Sequence, residues 1–230
     1  MTQIKADYAD LRALMARMTG DEKHAKAATS TLDVLWVLYD RVLRVTPDMA
    51  EDRDRFYLSK GHGPMAYYAV LAAKGFLDPA EFERFGAFRS ALGHHPDRVL
   101  VPGVEISSGS LGHGLPLAVG TALALRARGI LEPRIWVLLG DGELDEGSNH
   151  EAIAYAARAG LDRLHVVVID NRSATQGWPG GLETRFLVEG WSTERVDGRD
   201  HSGLEAAFTA SGSGRPRLVV AEVDEPGDNH

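Results

Sequence analysis

Two short apolar runs, residues 135–139 and 165–169, constrain the fold of this chain more than any other feature. Each has the length of a strand and is apolar enough to be buried on both faces of a sheet. The segment between them, residues 146–160, has a helical pattern that places Ile153 and Ala156 on one face. The strand, helix, strand order predicts a β-α-β unit with parallel strands.

The remaining segments continue this alternation. Helical spacing of apolar residues predicts two helices at the start of the chain and further helices over 64–75 and 115–129. A strand, a helix and a strand are predicted after them, over 191–198, 201–211 and 217–223. We therefore predict an α/β fold, doubly wound, with a mostly parallel sheet and helices on both faces. No linker rich in Pro, Gly or Ser divides the chain, so we expect a single domain over residues 1–230.

Charge and composition exclude several classes of function. The net charge of -8 comes with interspersed signs and no basic stripe, which argues against a nucleic-acid partner. The chain has no cysteine, which excludes disulfides, thiolate zinc sites and a thiol nucleophile. No apolar run reaches the roughly 20 residues of a membrane span, and the N-terminus does not have the pattern of a signal peptide. We expect a cytoplasmic protein without a membrane partner.

The segment GDGELDEG, residues 140–147, follows the first apolar run directly, and Asn171 follows the second. A right-handed crossover brings the carboxyl ends of both strands to one edge of the sheet, where α/β proteins bind ligands. Mg²⁺ prefers oxygen ligands and leaves positions for phosphate oxygens. A lone GDG is typical of an ordinary turn, but the paired strand ends favour a metal site formed by Asp141, Asn171 and the main-chain carbonyl of Ser173.

The other acids of this segment have simpler interpretations. We interpret Glu143 and Asp145 as solvated or capping acids, and Glu146 as favourable to the helix dipole. Gly142 lets the backbone approach a ligand without an intervening side chain, and the helix that follows adds amide donors at its N-terminus.

Several motifs occur in an order that resembles the transketolase family of thiamine-diphosphate enzymes. GDGELDEG and DNRSATQG resemble its GDG…N motif, and DRFYLSKGHGPMAYYAVLAAKGF, HPDRVLVPGVEISSGSLGHGL, FLVEGW and VDGRD are similar to its diphosphate-binding half. The resemblance covers nearly the whole chain, from about His24 to Val223. It implies the N-terminal subunit of a split transketolase, because the pyrimidine-binding and C-terminal domains of that family have no counterpart here.

The resemblance also implies roles for individual residues and cofactors. The cofactors would be thiamine diphosphate and Mg²⁺, with Ca²⁺ or Mn²⁺ as substitutes. By resemblance, the metal would bind to Asp141, Asn171 and Ser173; the cofactor would contact His62, Gly109, Ser110, Leu111, Asp141, Gly142 and Asn171; and catalysis would use His24, His62, His95 and Glu146. The histidines would face a sugar or sugar-phosphate donor, and Glu146 would communicate with the partner active site. The partner would be a separate C-terminal transketolase subunit in an α2β2 assembly.

Each histidine also has a structural interpretation. His62 could bond to backbone at a helix start, His95 belongs to a His-His pair of the kind common in solvated loops, and His24 lacks the surroundings usual in the family. His113 and His150 replace a glutamine and an aromatic residue of the family pattern. The segment after Val223 lacks the phosphate-side histidine of the family unless His230 or the partner replaces it.

Two other functions are compatible with the same motifs. One is the α subunit of a thiamine-dependent 2-oxo acid decarboxylase or acyl transferase, which normally lacks the donor-facing histidines. The other is a non-catalytic remnant of the fold, which would have no chemical reason to retain the metal ligands.

Overall fold

Five strands form one parallel sheet in the computed structural model, which describes residues 6–19, 25–174, 178–212 and 214–223. They are β1 (Arg55–Leu58), β2 (Ile135–Gly140), β3 (Leu164–Asp170), β4 (Ser192–Asp197) and β5 (Arg217–Glu222). Their order across the sheet is β1-β2-β3-β5-β4, and each neighbouring pair is parallel. The predicted doubly wound α/β fold is confirmed. The observed β2 and β3 extend the predicted strands by one residue at Gly140, Leu164 and Asp170.

Seven α-helices connect or precede these strands in the described part of the chain. They are α1 (Tyr8–Ala16), α2 (Ala25–Val37), α3 (Met65–Ala73), α4 (Gly114–Ala127), α5 (Gly147–Arg158), α6 (Leu182–Leu187) and α7 (His201–Thr209). The sequence pattern predicts six of them. It misses α6, which is only 6 residues long, because so short a segment hardly shows helical periodicity.

The sheet separates two hydrophobic cores, as helices on both faces require. One core contains buried side chains of α1, α2, α3 and α7, and the other contains those of α4, α5 and α6. Side chains alternate between the faces along each strand, so that Trp136 and Leu138 enter the first core while Val137 and Leu139 enter the second. Both faces of the sheet are therefore buried, which explains the continuous apolar runs.

The helix α2 continues into a π-helical turn over Leu38–Val42. There the amide of Leu43 donates to the carbonyl of Leu38, at 2.8 Å, which is the hydrogen bond of a π turn. Trp36 and Tyr39, on either side of the start of this turn, are buried in the core. Two 3-10 helices, Pro79–Arg84 and Gly142–Asp145, also lie outside the predicted elements. Across the described residues, no helix is long and apolar enough to cross a membrane.

Candidate functional site

The carboxyl edge of the sheet brings three polar segments next to one another. Ser59 and Lys60 follow β1, Asp141 follows β2, and Asn171 follows β3. The register pairs Leu58 with Leu138 and Gly140 with Ile169, so these segments begin at neighbouring positions of one edge. The predicted convergence of the strand ends is therefore observed.

Asp141 lies directly against the segment that follows Asn171. Its side chain is 2% exposed, and its Oδ1 accepts hydrogen bonds from the Gly142 amide at 2.8 Å and from Ser173 Oγ at 2.5 Å. Its Oδ2 accepts from the amide of Ala174 at 3.0 Å. The structure thus brings together Asp141 and Ser173, two of the three predicted metal ligands.

The backbone around Asn171 and Ser173 makes an unusual turn. Arg172, between them, has φ of 58°, in the left-handed region that residues other than glycine rarely occupy. Strained backbone of this kind often occurs at functional sites. The turn places the carbonyl oxygen of Ser173 beside the GDG segment, since a Cβ built on Gly142 would lie 3.7 Å from it.

The side-chain oxygen of Asn171 supplies a test of the predicted metal site. This Oδ1 is buried and has no hydrogen-bond partner among the residues that the structure describes. Buried polar atoms almost always have a partner, so an orphan oxygen of this kind calls for an explanation. A cation bound by Asn171, Asp141 and the Ser173 carbonyl would provide one. These hard oxygen donors suit Mg²⁺, and the described ranges contain no cluster of three or more His, Cys, Asp or Glu that would form a different kind of metal site.

Glu143 corrects one sequence-based expectation. It is 2% exposed rather than solvated. Its carboxylate accepts hydrogen bonds from Ser59 Oγ, from the Gly112 amide at 2.9 Å and, at a longer 3.4 Å, from the Gly140 amide. Burial raises the pKa of Glu143, and these hydrogen bonds oppose that effect. The acid ties together the segments after β1, before α4 and after β2. Asp145 is exposed, as expected.

Lys60 is a second buried charge that the sequence analysis did not identify. Only 4% of it is exposed, and its stem packs against the backbone of Gly140, where a Cβ would lie 3.2 Å from Lys60 Cδ. Burial lowers the pKa of Lys60 to about 8, although Glu143 and Asp141 attract the charged form. Lysine is rarely buried unless it is paired, so the local sequence does not indicate this burial.

His62 and His95 reach the site through tight backbone contacts. Gly61, which precedes the part-buried His62, lies so close to the loop before α4 that a Cβ would be 2.7 Å from the Gly109 amide. The exposed His95 ring lies against the same loop, since a Cβ on Gly109 would be 2.7 Å from its Cδ2. Tyr68 Oη fixes the backbone here by donating to the His95 carbonyl at 3.2 Å.

The predicted cofactor-binding loop lies between these histidines and the GDG segment. Ser110 is exposed, and Gly109 and Leu111 are part-buried. Gly112 has φ of 83° and fits closely against α5, where a Cβ would lie 2.6 Å from that of Glu146. Glu146 is exposed at the N-cap of α5 and makes no capping hydrogen bond with its side chain.

Three further histidines, His24, His113 and His150, were singled out in the sequence. His24 lies outside the described residues, as does the segment after residue 223. His113 is exposed before α4. His150 Nδ1 accepts a hydrogen bond from Arg185 Nε at 2.8 Å, and its ring lies 5.3 Å from that of Trp178. His150 therefore connects α5 to α6.

The fold and this edge together define an α/β protein in which polar residues converge at the carboxyl ends of its parallel strands. A family model described as the transketolase thiamine diphosphate binding domain matches residues 8–223. The chain belongs to the transketolase family.

Several curated relatives and solved structures that match the chain are named as transketolases, and one relative is named as a ferredoxin. The chain is 56% identical over 218 residues to ferredoxin fas2 of Rhodococcoides fascians. This match covers 94% of the chain and 72% of that protein. It is 35% identical over 209 residues to one of the subunits of the apulose-4-phosphate transketolase of Actinobacillus succinogenes, covering 87% and 75% of the two chains. Transketolase 2 of Xanthobacter flavus is 38% identical over 239 residues, and the chain spans only 34% of its length. The transketolase structure from Campylobacter jejuni superposes with a TM-score of 0.78 at 27% identity, over 94% of this chain and 36% of that one.

Proposed function

We propose that this chain is the N-terminal subunit of a two-component transketolase and binds thiamine diphosphate through a divalent metal ion. The observation that carries the proposal is the contact between Asp141 and the segment after Asn171, together with the orphan oxygen of Asn171. Asp141, Asn171 and the Ser173 carbonyl would hold the metal. Mg²⁺ fits this set of oxygen donors, and Ca²⁺ or Mn²⁺ would serve as substitutes.

The cofactor would lie along the loop before α4 and the GDG segment. Gly109, Ser110, Leu111 and Gly142 would line its diphosphate and thiazolium, because glycine backbone allows close approach. When bound, thiamine diphosphate supplies the electron sink for breaking a carbon–carbon bond beside a carbonyl group. This chain's own contribution is to position the cofactor and the donor and to exclude water.

His62 and His95 would orient the hydroxyl groups of a ketose or ketose-phosphate donor and move protons at those hydroxyls. Both histidines border the proposed cofactor loop, at Gly61 and Gly109. Neutral imidazole can accept a proton near physiological pH and return it. A relative named for apulose-4-phosphate transketolase supports a phosphorylated donor. His24 would add a third contact, and a two-carbon ketol unit would pass to an aldose acceptor.

The proposed partner is a separate C-terminal transketolase subunit that carries the pyrimidine-binding domain, in an α2β2 assembly. The Actinobacillus succinogenes relative, of which this chain spans 75%, is itself named as a transketolase subunit, and this supports such a division. Residues 1–230 would then form a single diphosphate-binding domain. Glu146, which is exposed at the N-cap of α5, would face the partner active site.

Metal-dependent cofactor binding tests the first part of the proposal. With its partner present, the protein should bind thiamine diphosphate only when Mg²⁺ or a similar ion is added, and Asp141→Ala should abolish binding. Asp145→Ala is the matched control, because it removes an exposed acid from the same segment. Calorimetry that finds unchanged, metal-independent binding in Asp141→Ala would contradict the metal assignment.

Donor turnover tests the histidines. His62→Ala and His95→Ala should each lower kcat with a ketose phosphate at least tenfold and leave cofactor affinity nearly unchanged, because their contacts act in the transition state. His94→Ala is the control next to His95. Equal turnover in all three variants would return His62 and His95 to structural roles.

The nature of the reaction and of the partner needs a third assay. The chain and its candidate partner should be compared, separately and together, with a ketose phosphate and with pyruvate. Two-carbon transfer from the ketose only in the mixture is the expected result. Turnover of pyruvate alone would favour the 2-oxo acid decarboxylase, and turnover by this chain alone would refute the split enzyme.

A further inference from the structure

A second feature lies at the opposite, amino-terminal edge of the sheet. Trp136, His165 and Arg217 occupy one row across β2, β3 and β5, because Trp136 pairs in register with His165 and His165 pairs with Arg217. The Trp136 and His165 rings stack at 4.4 Å with 15° between their planes. Phe208 of α7 meets Trp136 edge-on at 5.4 Å. The three side chains thus form a continuous polar and aromatic row beneath α7.

Each member of this row has a buried nitrogen whose hydrogen-bonding capacity is not satisfied. Trp136 Nε1, His165 Nδ1 and Arg217 Nε have no partner within the described ranges. Native proteins satisfy nearly all such groups, so three neighbouring exceptions on adjacent strands call for one common explanation. Two of the groups, the indole N–H and the guanidinium N–H, can only donate. Two members of the row, His165 and Arg217, also line the cavity beside it.

A cavity of about 440 Å³ opens beside this row. Its volume lies within the roughly 300–1,000 Å³ that is typical of small-molecule pockets. Among the described residues of its lining are four arginines, Arg134, Arg163, Arg215 and Arg217, together with His165 and a single acid, Asp162. A cavity with this lining is basic, in a chain with a net charge of -8.

Two of the four arginines are held in place by carboxylates. Arg134 pairs with the buried Asp54 at 2.7 Å, and Arg217 pairs with Glu194. These pairs orient the guanidinium groups and neutralise their charge in part. Arg134 and Arg217 therefore form a preorganised wall of the cavity, as a binding site requires.

The other two arginines provide the excess positive charge. Arg163 and Arg215 are exposed, and neither forms an ion pair with any residue in the described part of the chain. The pKa of His165 reflects the same field. Burial, with the neighbouring positive charges of Arg134 and Arg217, lowers it to about 3, so the ring is neutral at pH 7. The four arginines of the lining therefore favour an anion here over a cation.

We propose that this cavity is a second ligand site, which binds a small anion carrying a phosphate group. Guanidinium groups form paired hydrogen bonds with phosphate oxygens, so the arginines that line the cavity suit such a ligand. The site lies at the edge of the sheet opposite Asp141 and is independent of the proposed transketolase activity. The phosphate is either inorganic or part of a phosphate ester.

Calorimetry on the full chain, at low ionic strength, tests the proposal with inorganic phosphate as the probe and sodium chloride as the ionic-strength control. We expect saturable binding of phosphate that Arg163→Ala/Arg215→Ala weakens at least tenfold. Arg158→Ala is the matched control, because it removes an exposed arginine from α5 on the other face of the sheet. It should leave the affinity unchanged.

The NMR signals of the His165 ring, which the His165→Gln variant serves to assign, supply a local readout. A bound anion should shift these signals and raise the pKa of the ring. Asp141→Ala should not alter either effect, which separates this site from the diphosphate edge. A tenfold preference for glucose 6-phosphate over phosphate would identify a phosphate ester, and equal or weaker affinity would identify free phosphate. Absent binding, equal binding in the double variant, or unmoved His165 signals would each overturn the proposal.

Discussion

Replacing Glu143 by alanine should loosen the candidate site. The carboxylate receives hydrogen bonds from Ser59 Oγ and from the amides of Gly112 and Gly140, which belong to three different segments. Ser59 Oγ in turn accepts from the Gly114 amide at 2.9 Å, at the start of α4. One side chain therefore maintains the mutual position of the loops that would enclose the cofactor.

The magnitude follows from the number of buried donors left without an acceptor. Ser59 Oγ and the Gly112 amide would each lose a close partner, and a buried unsatisfied donor costs about 1–3 kcal/mol. The Gly140 contact is long and adds little. Relief of the buried charge offsets part of the loss, since burial raises the pKa of Glu143. We expect Glu143→Ala to lower the free energy of unfolding by about 2–4 kcal/mol.

Glutamine at the same position keeps an acceptor of the same shape. Glu143→Gln can still accept from Ser59 and Gly112, but its amino group would face the Gly140 amide, so a loss of about 1 kcal/mol is expected. Asp145→Ala, at an exposed position of the same segment, should lie within about 0.5 kcal/mol of the parent protein.

Urea unfolding of the full chain gives the free energy of unfolding of all three variants. An unchanged slope of that free energy against urea concentration would show that the folded state is retained. Cofactor affinity of the complex should fall in the same order, alanine below glutamine below parent. If Glu143→Ala were no less stable than Asp145→Ala, the carboxylate would not tie the loops together. If glutamine were as harmful as alanine, the effect would come from lost charge rather than from lost hydrogen bonds.

Two further predictions concern acid stability and loop packing. Because burial lowers the pKa of His165 from its usual 6.5 to about 3, the unfolded chain binds the extra proton, and stability falls as pH drops below 6.5, by about 2 kcal/mol at pH 5. His165→Gln should remove that part of the loss in urea unfolding at pH 7 and pH 5, and an equal drop in parent and variant would contradict it. Gly61→Ala should weaken cofactor binding at least tenfold, since the added Cβ would lie 2.6 Å from Ser108 Oγ and 2.7 Å from the Gly109 amide. An unaltered cofactor affinity by calorimetry would show that the loop can shift without affecting cofactor binding.

The sequence determined the elements that depend on local pattern. Continuous apolar runs indicated buried parallel strands, and β2 and β3 differ from the predicted ranges only by single residues at their ends. The order of motifs indicated the family, which the match to residues 8–223 confirms. The position of Asp141 beside the segment after Asn171 was also predictable, because consecutive parallel strands end at the same edge.

The tertiary structure alone decided which polar groups are buried and what they contact. Glu143 looked like a solvated acid because its own neighbours are polar, yet its partners Ser59 and Gly112 are 84 and 31 positions away in the chain. Lys60 is buried for the same kind of reason, since Gly140 of the neighbouring strand end covers its stem.

The basic cavity shows the same limit. His165 belonged to a predicted strand, but only the register places it between Trp136 and Arg217. Local periodicity records which face of a strand a side chain takes, whereas the identity of its cross-strand neighbours depends on strand order, and β5 lies between β3 and β4. That order is set by packing across the whole sheet, which no short stretch of sequence contains.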